Sequence, residues 1–359
     1  MRAFLIANDA GESLCLQSIH KELLKRKNET FSIFGNGRHL KINQSDIAAM
    51  LWADVFIATI SNDNEAEVGL AQIAREKNPN THIVIYAPGS YAFQLKGTEP
   101  LREIVNLLLI SNEEEVKKAQ ALYPNTRVES IGNILYEKDA VPTLTTEDAQ
   151  KIVGFIENRK FIFVPGDKTE SVNWPLFHSV IEAAHQKQVL QHYPAITIGL
   201  HPGTTPTIET AVKEIEIYRD IEKFSRKVPV KIFTKFSVPS SVLVTACDLM
   251  VTARSSLAVH AIYQRKPVIG LFFELMLANT EIGANKQFEW EPGIKKAARV
   301  IRNGSIEQLG TEMNQLLAYD SPILYEMRQN QQKNYPEPPK LGSIAKKAVD
   351  LIEQLLIQP

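Results

Sequence analysis

Between two apolar runs, "DLMVTA" (248–253) and "KPVIGLFF" (266–273), the sequence places Arg254, Ser255 and Ser256. A guanidinium and two hydroxyls where a strand hands over to a helix can receive an oxyanion, because a helix start adds unpaired backbone N–H groups and the positive end of its dipole. Capping accounts for one serine; the arginine has no part in capping and points to an anion. His260, one turn after Ser256, reads as a further contact or as a core residue among apolar neighbours. A second loop, "GLHPGTTPT" (199–207), sets His201 after an apolar run. An imidazole there can donate a charge-assisted hydrogen bond to a phosphate or act as a general acid. In "VPGDKTES" (164–171), Gly166, Lys168 and Thr169 suit a phosphate or an acceptor hydroxyl, and a plain surface loop accounts for them equally well.

Near the amino terminus, "NDAGES" (8–13) supplies two carboxylates, Asp9 and Glu12, that could take a proton, with Gly11 allowing close backbone approach. The same pair has capping-box spacing, so a helix N-cap is the competing explanation. "FGNGRHL" (34–40) adds His39 in a glycine-containing loop. "NDAGES" is no dinucleotide fingerprint, since the GxGxxG glycines are missing, and without a Walker loop ATP hydrolysis is not indicated. Cys15 and Cys247 stand far apart with no ligand-like spacing, so we expect buried thiols and no metal site.

All these candidates follow strand-like runs. "AFLIA" (3–7), "FSIF" (31–34), "DVFIAT" (54–59), "HIVIYA" (82–87), "NLLLIS" (106–111) and "RVESIG" (127–132) read as strands, several of them continuously apolar as parallel strands covered on both faces must be. Amphipathic helices lie between, such as the stripe of Leu16, Ile19, Leu23 and Leu24. The pattern lapses into a linker-like stretch at 136–150 and then restarts with "KFIFVPG" (160–166), "AITIGLHPG" (195–203), "VPVKIFT" (228–234) and the two runs named first. "VNWPLFHSVIEAAHQKQVLQHY" and "TIETAVKEIEIYRDIEKFSRK" read as single helices. The expected fold class is α/β: two Rossmann-like doubly wound domains, 1–140 and 141–340, facing across a cleft, with a terminal helix in 341–359 crossing back to the first.

Lys plus Arg number 40 and Asp plus Glu 41, a net charge of −1, which argues against a nucleic-acid partner held by overall field. The first residues read as a core strand and not a signal peptide, and no run reaches the roughly 20 apolar residues of a membrane span. A cytoplasmic location is expected, with peripheral membrane contact left open.

Two longer passages carry a family resemblance. "LLLISNEEEVKKAQALYPNTRVESIGNILYE" and "VLVTACDLMVTARSSLAVHAIYQRKPVIGL" resemble the end of the first domain and the donor-binding strand–helix–strand of the GT-B superfamily, the nucleotide-sugar glycosyltransferases and their epimerase relatives. The resemblance covers nearly the whole chain. The opening residues are similar to lipid-A-disaccharide synthases. The pairs His201-Pro202 and Ser255-Ser256 are similar to motifs of bacterial sialyltransferases and CDP-alcohol polymerases. The general arrangement resembles non-hydrolysing UDP-N-acetylglucosamine 2-epimerases and MurG-type transferases, except that His260 falls at or near the place of their ribose-binding glutamate.

What the resemblance implies is glycosyl transfer from a UDP, CDP or CMP donor to a glycan, lipid-linked or small hydroxyl acceptor, in cell-envelope or surface glycan synthesis, with no cofactor or metal. Arg254, Ser255, Ser256 and His201 would neutralise the departing phosphate, with Gly166, Lys168 and His260 beside them. Asp9 by preference, or Glu12, would take the acceptor's proton, with Gly11 and His39 on the acceptor side. The rival expectations are an epimerase or hydrolase of the same fold, and a non-catalytic binding protein, which the departure at His260 would favour. Oligomeric state is not legible.

Overall fold

The computed structural model of the chain describes all residues except 36–39, 61–63, 90, 91, 96, 140, 155–157, 226, 254, 274–289, 358 and 359. It divides into two compact units: Met1–Lys138 together with Pro339–Pro359, and Asp139–Pro338.

The first unit is built on six parallel strands, β1 (Arg2–Ala7), β2 (Glu29–Phe34), β3 (Val55–Thr59), β4 (His82–Ala87), β5 (Leu107–Ile110) and β6 (Arg127–Ser130), in the order β2-β1-β3-β4-β5-β6. The central strands are buried from their second residue on, and β3, "VFIAT", and β5 throughout, whereas the edge strand β2 has only exposed and half-buried residues. On one face the sheet packs against apolar side chains that include Met50, Val68, Leu70 and Tyr123. The other face is covered by the helix Ala10–Lys25, through Cys15, Leu16, Ile19 and Leu23, and by the helix Ser343–Ile357, through Ile344, Ala348, Val349 and Ile352. Both stripes have the three- and four-residue spacing of one helical face.

The docking of the helix Ser343–Ile357 is also electrostatic. Glu137, 4% exposed, accepts hydrogen bonds from the backbone N–H groups of Gly342 (2.9 Å) and Ile344, and from the Ser343 hydroxyl (3.4 Å). A carboxylate at a helix start both satisfies free N–H groups and faces the positive end of the dipole. Farther along the helix, Arg26 forms ion pairs with Asp350 and Glu353, each at 2.7 Å.

The second unit holds β7 (Lys160–Pro165), β8 (Pro194–Gly199), β9 (Val230–Phe233), β10 (Leu249–Thr252), β11 (Val268–Phe272) and β12 (Arg299–Arg302), in the order β12-β11-β10-β7-β8-β9. Its core joins the sheet to helices such as Glu170–Ala184, through Val172, Leu176, Phe177 and Val180. Three details differ from the sequence reading. The linker-like stretch contains the helix Leu135–Asp139 and the start of the helix Thr146–Val153, whose N-cap Thr145 accepts from the N–H of Asp148. The helix expected over 172–193 ends at Ala184, and Lys187–Leu190 forms a separate turn. Strand β12 had no counterpart: its sequence, "RVIR", buries only Ile301 fully and exposes both arginines at the sheet edge. Cys15 and Cys247 are buried free thiols, as expected, and burial pushes both above the ordinary thiol range.

Replacing Glu137 by alanine should leave buried N–H groups without an acceptor and destabilise the first unit by about 2–4 kcal/mol. Glu137→Gln, which keeps one acceptor oxygen, should lose about half as much. Urea unfolding followed by circular dichroism measures both, and no loss in Glu137→Gln would mean that charge plays no part.

Candidate functional site

Strand β7 pairs with β8 on one side and β10 on the other, so the chain winds outward from it in both directions. The loops after β7 and β10 therefore part, forming the switch point at which open α/β sheets characteristically bind ligands. Gly166 follows β7, Ser255 and Ser256 follow β10, and His201 follows β8 next door.

His201 is held by its own turn. Its Nδ1 accepts the N–H of Gly203 at 3.0 Å. A ring nitrogen that accepts carries no proton, so the neutral imidazole is the Nε2–H tautomer, and its remaining nitrogen is a donor. Glycine at 203 makes this possible: a β-carbon there would stand 3.1 Å from Nδ1 and 3.2 Å from Cε1. The backbone carbonyl of His201 takes hydrogen bonds from the N–H groups of Thr204 (3.1 Å) and Thr205 (3.3 Å), and from both hydroxyls. Thr204 also bonds to Glu214, whose carboxyl is raised above its ordinary range by burial, the Thr204 bond opposing the rise and Glu170 adding to it.

The loop after β7 is organised by a residue that sequence reading missed. Asn173, 1% exposed, accepts the N–H of Asp167 at 2.6 Å and donates to the carbonyl of the same residue at 3.0 Å. Asp167 in turn accepts the N–H of Thr169 at 2.8 Å. Gly166 is buried and gives its N–H to Gly199 at 2.7 Å, which continues the β7–β8 ladder and withholds that amide from a ligand. Lys168 is exposed at the crest of the loop.

After β10, the N–H of Ser255 donates to the Thr252 hydroxyl (3.1 Å), and Ser255 Oγ accepts the N–H of Leu257 (3.3 Å). Ser255 thus does the capping. Ser256 is exposed and forms no side-chain cap bond. His260 is 4% exposed, an interior position among Ala258, Val259, Ala261 and Ile262, so we do not carry it into the ligand set. Arg254 and His39 lie outside the described residues.

In the first unit the equivalent switch point lies between β1 and β3, because β1 pairs with β2 on its other side. The N–H of Asn8, just past β1, donates to Glu67 Oε1 at 2.7 Å, and Glu67 comes from the helix Glu65–Lys77 that follows β3. Asp9 is the N-cap of the helix Ala10–Lys25, accepting the N–H of Gly11 at 3.0 Å. Glu12 does not complete a capping box; its Oε2 is buried with no hydrogen-bond partner among the described residues. Burial, then the charge of Asp9, pushes the Glu12 carboxyl up to about 8, with Glu67 contributing least. Close backbone approach, expected at Gly11, occurs at Gly35: a β-carbon at 35 would lie 2.4 Å from the Asn8 carbonyl oxygen, whereas one at 11 would meet nothing nearer than 3.8 Å.

Glu67 and Asn173 did leave a sequence signal. Glu67 falls on the same helical face as the apolar Leu70, Ala71 and Ala74, and Asn173 stands between Val172 and the apolar Leu176 and Phe177. A polar residue on a buried stripe must find partners, and the nearest unpaired backbone is the adjoining strand end. Among the described residues no group of three His, Cys, Asp or Glu side chains could hold a metal ion, and no helix is long and apolar enough to cross a membrane.

No protein-family model matches the sequence, and no curated protein matches it. Solved structures do match. The UDP-GlcNAc 2-epimerase of Neisseria meningitidis bound to UDP-GlcNAc is 13% identical, with 99% of this chain and 100% of that chain covered at a TM-score of 0.67. MnaA of S. aureus with UDP is 13% identical over 100% and 98%, at 0.65. HepE of Anabaena with UDP and glucose is 12% identical over 98% and 99%, at 0.59. At such identities the likeness is one of fold: two parallel six-stranded sheets flanked by helices, the GT-B architecture. The chain has that fold.

Glu12, half-buried with Oε2 fully enclosed, makes stability depend on pH. Its carboxyl ionises near 4.5 when unfolded and near 8 when folded. Between those values the unfolded chain is ionised while the folded one keeps its proton. Stability is therefore highest below about pH 4.5 as far as this group is concerned, and falls as pH rises to 8, by at most about 1.4 kcal/mol per pH unit. Glu12→Gln should flatten the fall in melting temperature between pH 5 and pH 8; a wild-type slope in the variant would remove the assignment.

Proposed function

We propose that the protein transfers a glycosyl group from a nucleotide-activated sugar to a hydroxyl acceptor, the second unit binding the donor and the first supplying the base. The observation that carries this reading is the state of His201. Its Nδ1 is committed to the Gly203 N–H, so Nε2–H is a donor set in advance at the carboxyl edge of the sheet, beside a switch point. The structures of HepE and MnaA with UDP, on the same fold, support a uridine diphosphate donor; CDP and CMP donors belong in the same assay.

As the glycosidic bond breaks, negative charge gathers on the leaving phosphate. Nε2–H of His201, the hydroxyl of Ser256 and the guanidinium of Arg254 stabilise it, with Lys168 at the loop crest. A donor held in place beforehand, as the His201 ring is by the Gly203 N–H, needs no reorganisation at the moment of reaction. Asp9 serves as a cap, and so Glu12 becomes the preferred base in its place: a carboxylate that ionises near 8 matches a hydroxyl's proton better than one of ordinary acidity. The acceptor is a glycan, lipid-linked or small hydroxyl. A 2-epimerase on UDP-GlcNAc is the second reading, favoured by the likeness to the Neisseria meningitidis enzyme; turnover of UDP-GlcNAc with no acceptor present distinguishes it.

His201→Ala should weaken UDP binding about 10- to 100-fold by titration calorimetry, the worth of one charge-assisted hydrogen bond. Unchanged affinity would remove the donor site. Glu12→Gln should leave UDP binding intact, lower turnover at least about 100-fold, and abolish the rise in rate as pH passes 8.

A further inference from the structure

The second unit has a pocket of about 510 Å³ at the opposite end of its sheet from His201. Lys266 and Arg265 line it just before β11 begins, together with Arg328, Gln264, Thr146 and Tyr263, and none of the lining residues is acidic. The five residues of β11 separate this amino edge from the carboxyl edge by about 16 Å, so one small ligand cannot touch both.

Among the described residues no acid forms an ion pair with these charges. Arg265 donates to the backbone carbonyls of Tyr335 (2.8 Å) and Pro336 (2.7 Å), which fix its guanidinium without neutralising it. Lys266 Nζ donates to the neutral hydroxyl of Thr146 at 3.1 Å. Arg328 is exposed and forms no hydrogen bond or ion pair with any described residue. The acids of the helix Thr146–Val153, Glu147 and Asp148, share a single cation, Lys151, at 3.0 and 3.6 Å. Asp248 is paired with Lys160 at 3.3 Å. Gln264 adds an independent sign of a missing partner, since its Nε2 is buried with no acceptor among the described residues. Three cations and an unsatisfied donor, beside an aromatic wall at Tyr263, call for a ligand with several anionic oxygens.

We propose that this pocket binds the phosphate group of a phosphorylated small molecule, as a site separate from the donor site and built from Arg265, Lys266, Arg328 and Gln264. The free metabolite and a lipid headgroup share that chemistry. Titration calorimetry on the full chain with inorganic phosphate and with pyrophosphate tests it, using Arg328→Gln and Lys266→Gln. Each substitution should weaken binding of pyrophosphate at this site about tenfold or more, and added salt should weaken the wild type most. UDP affinity should stay at the wild-type value in both variants, so failure of the donor site and failure of this one are told apart. Co-sedimentation with vesicles containing phosphatidic acid separates the sources: capture that is lost in Lys266→Gln assigns the site to a lipid phosphate, and no capture assigns it to a soluble one. Equal phosphate and pyrophosphate affinity in all three proteins, with Arg328→Gln melting as the wild type does, overturns the proposal.

Discussion

In each unit the first strand is paired on both sides, and the chain leaves it in one direction before returning to build in the other. Parallel strands must be joined by right-handed crossovers, so reversing the direction of winding moves the connecting helices to the opposite face of the sheet. Only where that reversal happens do successive loops at the carboxyl edge diverge. For this protein the reversal falls between β1 and β3 and between β7 and β10. Asn8, Asp9 and Glu12 are gathered at the first, Gly166, Ser255 and Ser256 at the second, with His201 one strand away. The Asn8 N–H to Glu67 bond spans the first divide, tying the loop after β1 to the helix after β3.

The two edges treat charge in opposite ways. At the first, the carboxylates of Asp9, Glu12 and Glu67 interact, and desolvation, then the charge of Asp9, suppresses ionisation of Glu12. At the second, donors prevail: an imidazole fixed as the Nε2–H tautomer, and a serine hydroxyl that its helix does not use. A carboxyl that keeps its proton until about pH 8 thus stands at the first edge, and hydrogen-bond donors stand at the second.

Much of this was legible from residue order. Continuous apolar runs announce parallel strands because both faces of such strands are covered, and β3, β4 and β5 read clearly for that reason. β12 escaped because an edge strand of four residues with arginine at both ends carries almost no apolar signal. For the candidate site, spacing located the loops but not the direction of each group. Spacing does not say that Gly166 spends its amide on Gly199 or that His260 is interior, which depend on elements brought from elsewhere in the chain. It also leaves open which of Ser255 and Ser256 caps the helix, a choice made by contacts two and three residues away. Glu67 and Asn173 were visible only as polar residues on otherwise apolar stripes.

The first unit is sewn together from both ends of the described chain, with the whole second unit lying between its two pieces. One face of its sheet lacks part of its cover until the helix Ser343–Ile357 arrives, about 200 residues after Lys138 has been made. At ribosomal speeds of about 5–20 residues per second, that interval is roughly 10–40 s. During synthesis, therefore, the later half of the protein is able to fold while the earlier half still waits, with Leu5, Ile57 and Leu109 incompletely covered. The order of maturation is the reverse of the order of translation, and the nascent first unit is the stage at which a chaperone would find apolar surface to hold.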